Sequence, residues 1–229
     1  MFRLIDIELH KLKNSLASKV LIVTYFVLLT SIALIAAIKF DIGPVQFHLA
    51  EQGIFNFPYI WHFNTFIAAF IKFFLLLVIV SMMANEYSNK TLKQNLIDGL
   101  SKKEFVLSKF YTVILFAFVS TVFVFIVSMV LGLIYSDYNE ISIIFSDMEY
   151  LLAFFVKLVG FFSFGLFLGV LIKRSAFAVG AMLIWFIGET IGYNVMKWNL
   201  FKGTDIADQV FQFAPLKAMW NLIDEPFSR

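Results

Sequence analysis

Long runs of apolar residues alternate with short polar stretches along most of the chain. A helix that crosses a bilayer needs about 20 mainly apolar residues. Five stretches reach that length: residues 20–38, 64–84, 110–134, 150–172 and 176–196. Because backbone groups in lipid must be satisfied within the segment, such runs predict helices. The pattern therefore predicts an all-α polytopic membrane helix bundle with five spans, built as a single transmembrane domain over residues 1–229.

The segment before the first span, residues 1–19, has an amphipathic pattern of its own. Its apolar positions recur at spacings of three and four and would share one helix face: Phe2, Ile5, Leu9, Leu12 and Leu16. Glu8, Lys11 and Lys13 fall outside this stripe. The pattern predicts a helix lying in the membrane interface. The alternative is a plain extension of the first span.

The polar stretch between the second and third spans, residues 85–109, also has a helical pattern. Asn89 is a candidate cap for a short helix, and Gly99 is a typical C-terminal stop. That helix would carry three apolar residues: Leu92, Leu96 and Ile97. Ser101 and Glu104 form a capping box that opens the next helix. Periodicity alone fits either a structured loop with a solvated basic face or a docking element.

Composition and the placement of charge add an orientation to this bundle. The chain is 61% hydrophobic and 15% charged, whereas soluble domains are about half apolar and a quarter charged. Residues 1–19, 85–109 and 173–175 together carry eleven Lys and Arg, while residues 39–63 carry one and residues 135–149 none. The positive-inside rule then predicts a multi-pass protein of the cell membrane with a cytoplasmic N-terminus. The region 197–229 would lie outside, although its four basic residues weaken the bias.

Three ionisable residues fall inside predicted spans: Lys72, Lys157 and Glu189. At 1.5 Å of rise per residue, all three lie about 10–12 Å below the outer surface. An unpaired charge at that depth is costly, so one interpretation is a polar element of a substrate route, with Lys157 and Glu189 as the pair. The alternative is that the lysines extend towards the surface, while Glu189 is protonated or hydrogen-bonded.

Signals for catalysis are absent from the sequence. The chain has no Cys, which excludes disulfides and thiolate metal sites. It has no Gly-x-x-x-x-Gly-Lys-Ser/Thr phosphate loop, and His10, His48 and His62 lie outside the predicted spans. We expect no catalytic residue, no cofactor, no metal and no nucleic-acid partner.

One stretch carries a family resemblance. Glu86-Tyr-Ser-Asn-Lys-Thr91-Leu-Lys, followed by Gly99-Leu-Ser-Lys-Lys-Glu104 and by Lys109, resembles the membrane subunits, or permeases, of type-2 ATP-binding-cassette (ABC) exporters. Those permeases typically carry a Glu, a short gap, Gly-Thr-Leu, a small residue or Pro with Ser-Arg, and a Lys opening the third span. This chain has Asn89-Lys90 where Gly is common and Leu100 where Pro is common.

The resemblance implies a function and a set of partners. The 85–109 loop would hold a coupling helix that inserts into a separate cytoplasmic ABC ATPase subunit, which would supply the ATPase activity. The coupling residues would be Glu86, Thr91, Leu92, Leu96 and Gly99. The permease would sit in the lipid bilayer as a homodimer, or as a heterodimer with a second permease.

Two alternatives and one departure accompany the resemblance. The chain could instead be a secondary transporter that uses Glu189 as an ion or proton site. It could also be an immunity or assembly subunit that moves no substrate. The family normally has six spans, whereas five are predicted here, and the 197–229 region resembles the external region before a sixth span.

Overall fold

Eleven helices, one π-helical turn and one small hairpin make up the described chain. The computed structural model describes residues 2–37, 39–42, 45–48, 53–89, 91–97 and 99–226. The helices are α1 (Phe2–Asn14), α2 (Leu16–Ala37), α3 (Tyr59–Ile71), α4 (Phe73–Ser88), α5 (Thr91–Ile97), α6 (Lys102–Tyr135), α7 (Ile141–Ile144), α8 (Glu149–Ile172), α9 (Ser175–Val195), α10 (Ile206–Phe211) and α11 (Pro215–Trp220). The π-helical turn Met196–Leu200 continues α9.

The structure contains helices that are as long and as apolar as the predicted spans require. Three helical stretches are long and apolar enough to cross a membrane: Lys102–Tyr135, Ile141–Ile172 and Ser175–Leu200. Two bent pairs would each supply one more span, α1 with α2 at 95° and α3 with α4 at 44°. The predicted membrane helix bundle is therefore confirmed in its class, with three spans by this criterion and five when each bent pair counts as one.

Helix α1 is a separate element, as predicted. Its buried residues Leu4, Glu8 and Leu12 recur every four positions and so share one face. Glu8 belongs to this face because it contacts a basic partner on α6. Leu9, and Leu16 at the start of α2, are exposed members of the predicted apolar stripe, and their contact with the membrane interface stays a prediction.

Strands Lys39–Ile42 and Val45–His48 form the hairpin, in which Ile42 is opposite Val45. The hairpin lies in the 39–63 segment, which the sequence pattern left as a loop between spans. It is a small departure from the all-α prediction, because the rest of the described secondary structure is helical.

The core lies where α4, α6 and α8 meet. Gly165 on α8 allows a close approach to α4, because a Cβ there would lie 2.2 Å from the Leu76 Cδ1 atom. One turn later, a Cβ at Gly169 would lie 3.4 Å from the Met83 Cβ. Small residues at this spacing allow membrane helices to pack closely. Helix α9 is far more open, with only Ala178 and Met182 buried.

The polar loops lie at the two ends of the bundle, in the two groups that the distribution of Lys and Arg predicts. At one end, α1 meets the start of α6, and the Lys173 ammonium lies 5.4 Å from the ring centre of Tyr87. At the other end, the Trp61 indole donates to the Ile144 carbonyl at 2.7 Å, and the Tyr59 hydroxyl donates to the Pro226 carbonyl at 2.7 Å. The segments 1–19, 85–109 and 173–175 thus share one end.

The 197–229 region folds back onto the bundle. Helix α11 packs against α8 and α9 and buries Leu216. The Trp220 ring meets Phe70 at 5.9 Å and Phe186 at 6.0 Å between ring centres. The region therefore fills the gap beside the open helix α9, a role that its short, Pro-interrupted apolar pattern does not predict.

Candidate functional site

Four charged side chains meet where α1, α4 and α6 come together: Glu8, Lys11, Glu86 and Lys109. We call them the ion-pair cluster. The Lys109 ammonium contacts Glu8 Oε2 and lies 2.7 Å from Glu86 Oε1. The Lys11 ammonium lies 2.6 Å from the same Glu86 oxygen and 3.5 Å from Glu8 Oε1. Two carboxylates therefore face two ammonium groups, and the cluster is neutral as a whole.

Burial makes this cluster costly to break. Glu8, Glu86 and Lys109 are almost wholly buried, and Lys11 keeps 35% of its side chain exposed. Burial lowers the pKa of Lys11, but the hydrogen bond to Glu86 and the charge of Glu8 outweigh it, so the pKa is raised. A buried charge left without its partner costs several kcal/mol, so the four groups hold the three helices in one arrangement.

Glu86 also binds the loop helix. Its second oxygen, Oε2, accepts a hydrogen bond from the Thr91 hydroxyl at 2.6 Å and one from the Asn95 amide at 3.1 Å. Thr91 and Asn95 lie one turn apart on α5, so they present adjacent donors. A single carboxylate therefore connects α5 to α4, α1 and α6. The connection is short and leaves the loop helix little freedom to move alone.

The structure contradicts the predicted start of the loop helix and agrees with its predicted end. Asn89 ends α4 instead of opening α5, since its backbone N–H donates to the Asn85 carbonyl at 2.9 Å. Gly99 has a φ of +94°, which favours glycine and explains the stop after α5. Ser101 and Glu104 form the predicted capping box at the start of α6.

The structure brings only some of the predicted coupling residues into contact with one another. Glu86 and Thr91 are hydrogen-bonded, and Gly99 closes the same loop. Leu92 is half-buried against the core instead of lying on an open ridge, because α5 rests on the bundle through that face. Leu96 lies within α5, but its side chain falls outside the described part of the chain.

Sequence reasoning missed the roles of Glu8, Lys11 and Lys109 in the cluster. The i, i+3 spacing of Glu8 and Lys11 was visible, as was Lys109 at the predicted start of the third span. What connects them is a contact across 101 residues, between Glu8 and Lys109. Neither the periodicity of apolar residues nor the spacing of residues within one segment predicts a contact between residues so far apart in the sequence.

The predicted intramembrane pair does not form. Glu189 Oε2 accepts from the backbone N–H of Lys217 at 2.7 Å, and Oε1 accepts from that of Leu216 at 3.3 Å and from the Trp185 indole at 2.6 Å. Glu189 therefore caps the N-terminus of α11, where free N–H groups favour a carboxylate. Within the described part of the chain it makes no ion pair with Lys72 or Lys157.

The two intramembrane lysines lie on either side of Trp220. The Lys72 ammonium is 4.3 Å from the ring centre of Phe161 and 6.0 Å from that of Trp220. The Lys157 ammonium donates to the Trp220 carbonyl at 3.4 Å and lies 5.7 Å from its ring centre. Both lysines are buried, so neither extends outward to the surface, whereas the hydrogen-bonded Glu189 of the same alternative is observed.

Comparison with known proteins identifies one family. A family described as "Protein of unknown function (DUF2705)" matches residues 56–211. No curated protein and no solved structure matches the chain. The matched region contains α3 to α9, the loop helix, Glu86 and Lys109, and it begins after Glu8 and Lys11. Among the described residues, no cluster of His, Asp and Glu could hold a metal ion.

Proposed function

This chain belongs to the DUF2705 family, and we propose that it is the membrane subunit of an ATP-driven exporter. In this proposal a separate cytoplasmic ABC ATPase docks on the loop helix α5. ATP hydrolysis then drives movement of the membrane helices. The single observation that carries the proposal is the position of Glu86, whose carboxylate bonds α5 on one side and the ion-pair cluster on the other.

Coupling requires a stiff connection between the docking element and the spans. A displacement of α5 pulls on Glu86 through Thr91 and Asn95. Glu86 is part of α4, and through Lys109 and Lys11 it moves with α6 and α1. Because packed interfaces shift between discrete arrangements instead of deforming gradually, force on one short helix reaches three others. The ion-pair cluster is therefore suited to transmit a displacement of α5 to α4, α6 and α1.

The outward side of α5 offers a surface for a partner. Ile97 is 83% exposed, and Lys93 and Gln94 beside it are exposed too. An exposed isoleucine with a basic neighbour suits a partner groove that has an apolar floor and an acidic rim. We assign the docking contact to this face, in place of the ridge of Leu92 and Leu96 expected from periodicity.

The second partner in the proposal is another permease chain. Helix α9 is nearly bare, and its apolar side chains Ile184, Ile187 and Ile191 are exposed. Gly188 lies among them with open space where its Cβ would be, which permits a close approach by a second helix. We propose that a copy of this chain or a sister permease packs on that face of α9.

Glu189 gives little support to a secondary transporter. An ion or proton site needs a carboxylate that can exchange its ligand. Both oxygens of Glu189 already accept hydrogen bonds from α11 or Trp185. Protonating this group would release the helix cap, so its bonds are better explained by the packing of α11.

Co-expression with candidate ABC ATPase subunits of the same organism tests the proposal. The tagged membrane protein is purified and the bound ATPase is quantified. We expect stoichiometric capture by the wild-type chain and loss of at least about tenfold for Ile97→Asp, because a buried charge disfavours an apolar contact. Ile141→Asp is the matched control, since Ile141 is an exposed isoleucine on a short helix at the other end of α6.

Glu86→Gln separates docking from coupling. This variant keeps Ile97 exposed but weakens the connection to the ion-pair cluster, so we expect ATPase capture with reduced ATP turnover by the complex. Glu140→Gln, an exposed acid at the opposite end, should leave both unchanged. Capture that is equal for Ile97→Asp and wild type would place the ATPase elsewhere, and failure of the wild-type chain to capture it would contradict the proposed function.

A further inference from the structure

An apolar cavity of about 240 Å³ lies between the α3–α4 bend, α8, α9 and α11. Its walls include Phe73, Phe161, Phe186, Met219 and Trp220. Lys72 is the one charged residue among its lining side chains in the described part of the chain. The volume is slightly below the usual range for small-molecule sites, about 300–1,000 Å³.

Lys72 has no anion to neutralise it. Its side chain is buried, and its ammonium lies over the aromatic faces of Phe161 and Trp220. Within the described residues it forms no ion pair and no hydrogen bond. A cation–π contact recovers only part of the cost of burying an ammonium. A bound carboxylate in the cavity would supply Lys72 with both an ion pair and a hydrogen bond.

The surroundings raise the demand for an anion. Lys157, on the other side of Trp220, repels Lys72 electrostatically. Asp224 is the acid whose charge acts on Lys157. In the described part of the chain, Lys72 is the one charged group on a cavity lining that is otherwise apolar or aromatic.

The cavity also opens towards the outside of the bundle. Phe70, Phe73, Leu183 and Phe186 line it and remain partly exposed, on a side of the bundle formed by membrane helices. A ligand with an apolar chain could enter there from the bilayer. The volume suits one acyl chain better than the two chains of a phospholipid.

We propose that this cavity binds a single-chain amphiphile with a carboxylate head, with the head on Lys72 and the chain among the aromatic side chains. A carboxylate carries a single negative charge, which matches the one ammonium group that lines the cavity. A phosphate monoester carries about −1.5 to −2 near neutral pH, which is more than that one ammonium group neutralises. The proposal goes beyond the exporter function, because binding requires the membrane chain alone and no ATPase.

Tryptophan quenching by a brominated long-chain fatty acid tests the proposal on the purified chain in phosphatidylcholine nanodiscs. Trp220 lines the cavity, whereas Trp61, Trp185 and Trp198 do not. We expect saturable quenching that is largely lost in Trp220→Phe. Lys72→Met should weaken binding at least about tenfold, because it removes a charged hydrogen bond, and Lys72→Arg should recover part of the affinity. Lys197→Met, at a partly exposed lysine outside the cavity, should bind like the wild-type chain.

The brominated alcohol and a brominated single-chain phosphate of the same length complete the test. We expect both to bind more weakly than the carboxylate, the alcohol for want of charge and the phosphate for its excess. Equal affinity of Lys72→Met and wild type would overturn the proposal, as would an alcohol that binds as tightly as the acid. Tighter binding of the phosphate would overturn the assignment of the carboxylate head. A thermal melt of each variant confirms that the protein remains folded.

Discussion

The ion-pair cluster between α1, α4 and α6 shows that burial makes an ordinary ion pair much more costly to lose. On a surface, water and salt screen an ion pair such as Lys197 with Asp208, which therefore contributes little to stability. Inside the joint, Lys109 satisfies Glu8 and Glu86 at once, and little water is available to replace it. The net stabilisation is smaller than the attraction suggests, but the penalty for losing one member is large.

A double-mutant cycle tests this constraint. Lys109→Met leaves two buried carboxylates with one ammonium group, so we expect a loss of about 3–5 kcal/mol in the free energy of unfolding. Adding Glu86→Gln restores charge balance between Glu8 and Lys11, so the double variant should be less destabilised than the sum of the two single changes. Denaturant unfolding in detergent is the measurement. Simple additivity would contradict the cluster, and Lys197→Met, which removes a solvent-screened pair, should unfold at nearly the same denaturant concentration as the wild-type chain.

The positions of Lys72, Lys157 and Glu189 show which residue-level features can be predicted from the sequence. The sequence places all three at similar depth, because helix rise is fixed. It does not give their rotation about the helix axis or the position of α11. Glu189 therefore caps α11, and the lysines face Trp220, although the depths alone favoured a direct ion pair.

At the scale of elements, α4 and α8 pack closely through two glycines of α8. Gly165 lets α8 approach Leu76 more closely than any other residue type would allow. Gly169 extends the contact towards Met83. The two helices are therefore expected to move as one body, while α9, with its single buried stripe, is free to shift against them.

Gly165→Ala tests this packing. The new methyl group would meet Leu76 at 2.2 Å, and overpacking a closed core typically costs about 1–3 kcal/mol. Gly180→Ala on α9 is the matched control, because nothing lies within 4 Å of its Cβ position. It should be neutral or up to about 1 kcal/mol stabilising, owing to helix propensity. Equal unfolding midpoints for the two variants would show that α4 and α8 do not pack in this way.

Helix positions could be predicted from the sequence more fully than helix bends. The ends of α8 and α9 lie within one residue of the predicted spans, since long apolar runs have few alternatives. The 44° bend between α3 and α4 could not be predicted, because no Pro or Gly marks it. The short helices α10 and α11 were also missed, because their stability comes from packing on α8 and α9.

At the scale of the whole molecule, the loops are divided between two ends in the manner that the basic residues predict. The end with α1 and α5 collects the basic segments. At the other end, α7 and the 53–58 segment carry no Lys or Arg, whereas the 197–229 region carries four and weakens the contrast. A fold that grouped these segments otherwise would have contradicted the positive-inside assignment. The grouping does not by itself identify the cytoplasmic side, which charge alone predicts.

Single-cysteine labelling in right-side-out vesicles tests the orientation, since the chain has no Cys of its own. We expect Lys93→Cys, exposed on α5, to resist a membrane-impermeant maleimide until the vesicles are opened. Ser142→Cys, exposed on α7, should be labelled in intact vesicles. The reverse pattern would invert the topology and remove α5 from reach of a cytoplasmic ATPase.

The ion-pair cluster also has a consequence for how the protein is made. Glu8 precedes its partner Lys109 by 101 residues, and Glu86 precedes it by 23. Because synthesis runs from the N-terminus, α1 and α4 leave the ribosome before the lysine that completes their joint. Until then the two carboxylates share Lys11 alone, and the inward face of α1 has no α6 to cover it. A chain that stops before Lys109 therefore keeps an unbalanced acidic face, which the finished protein buries.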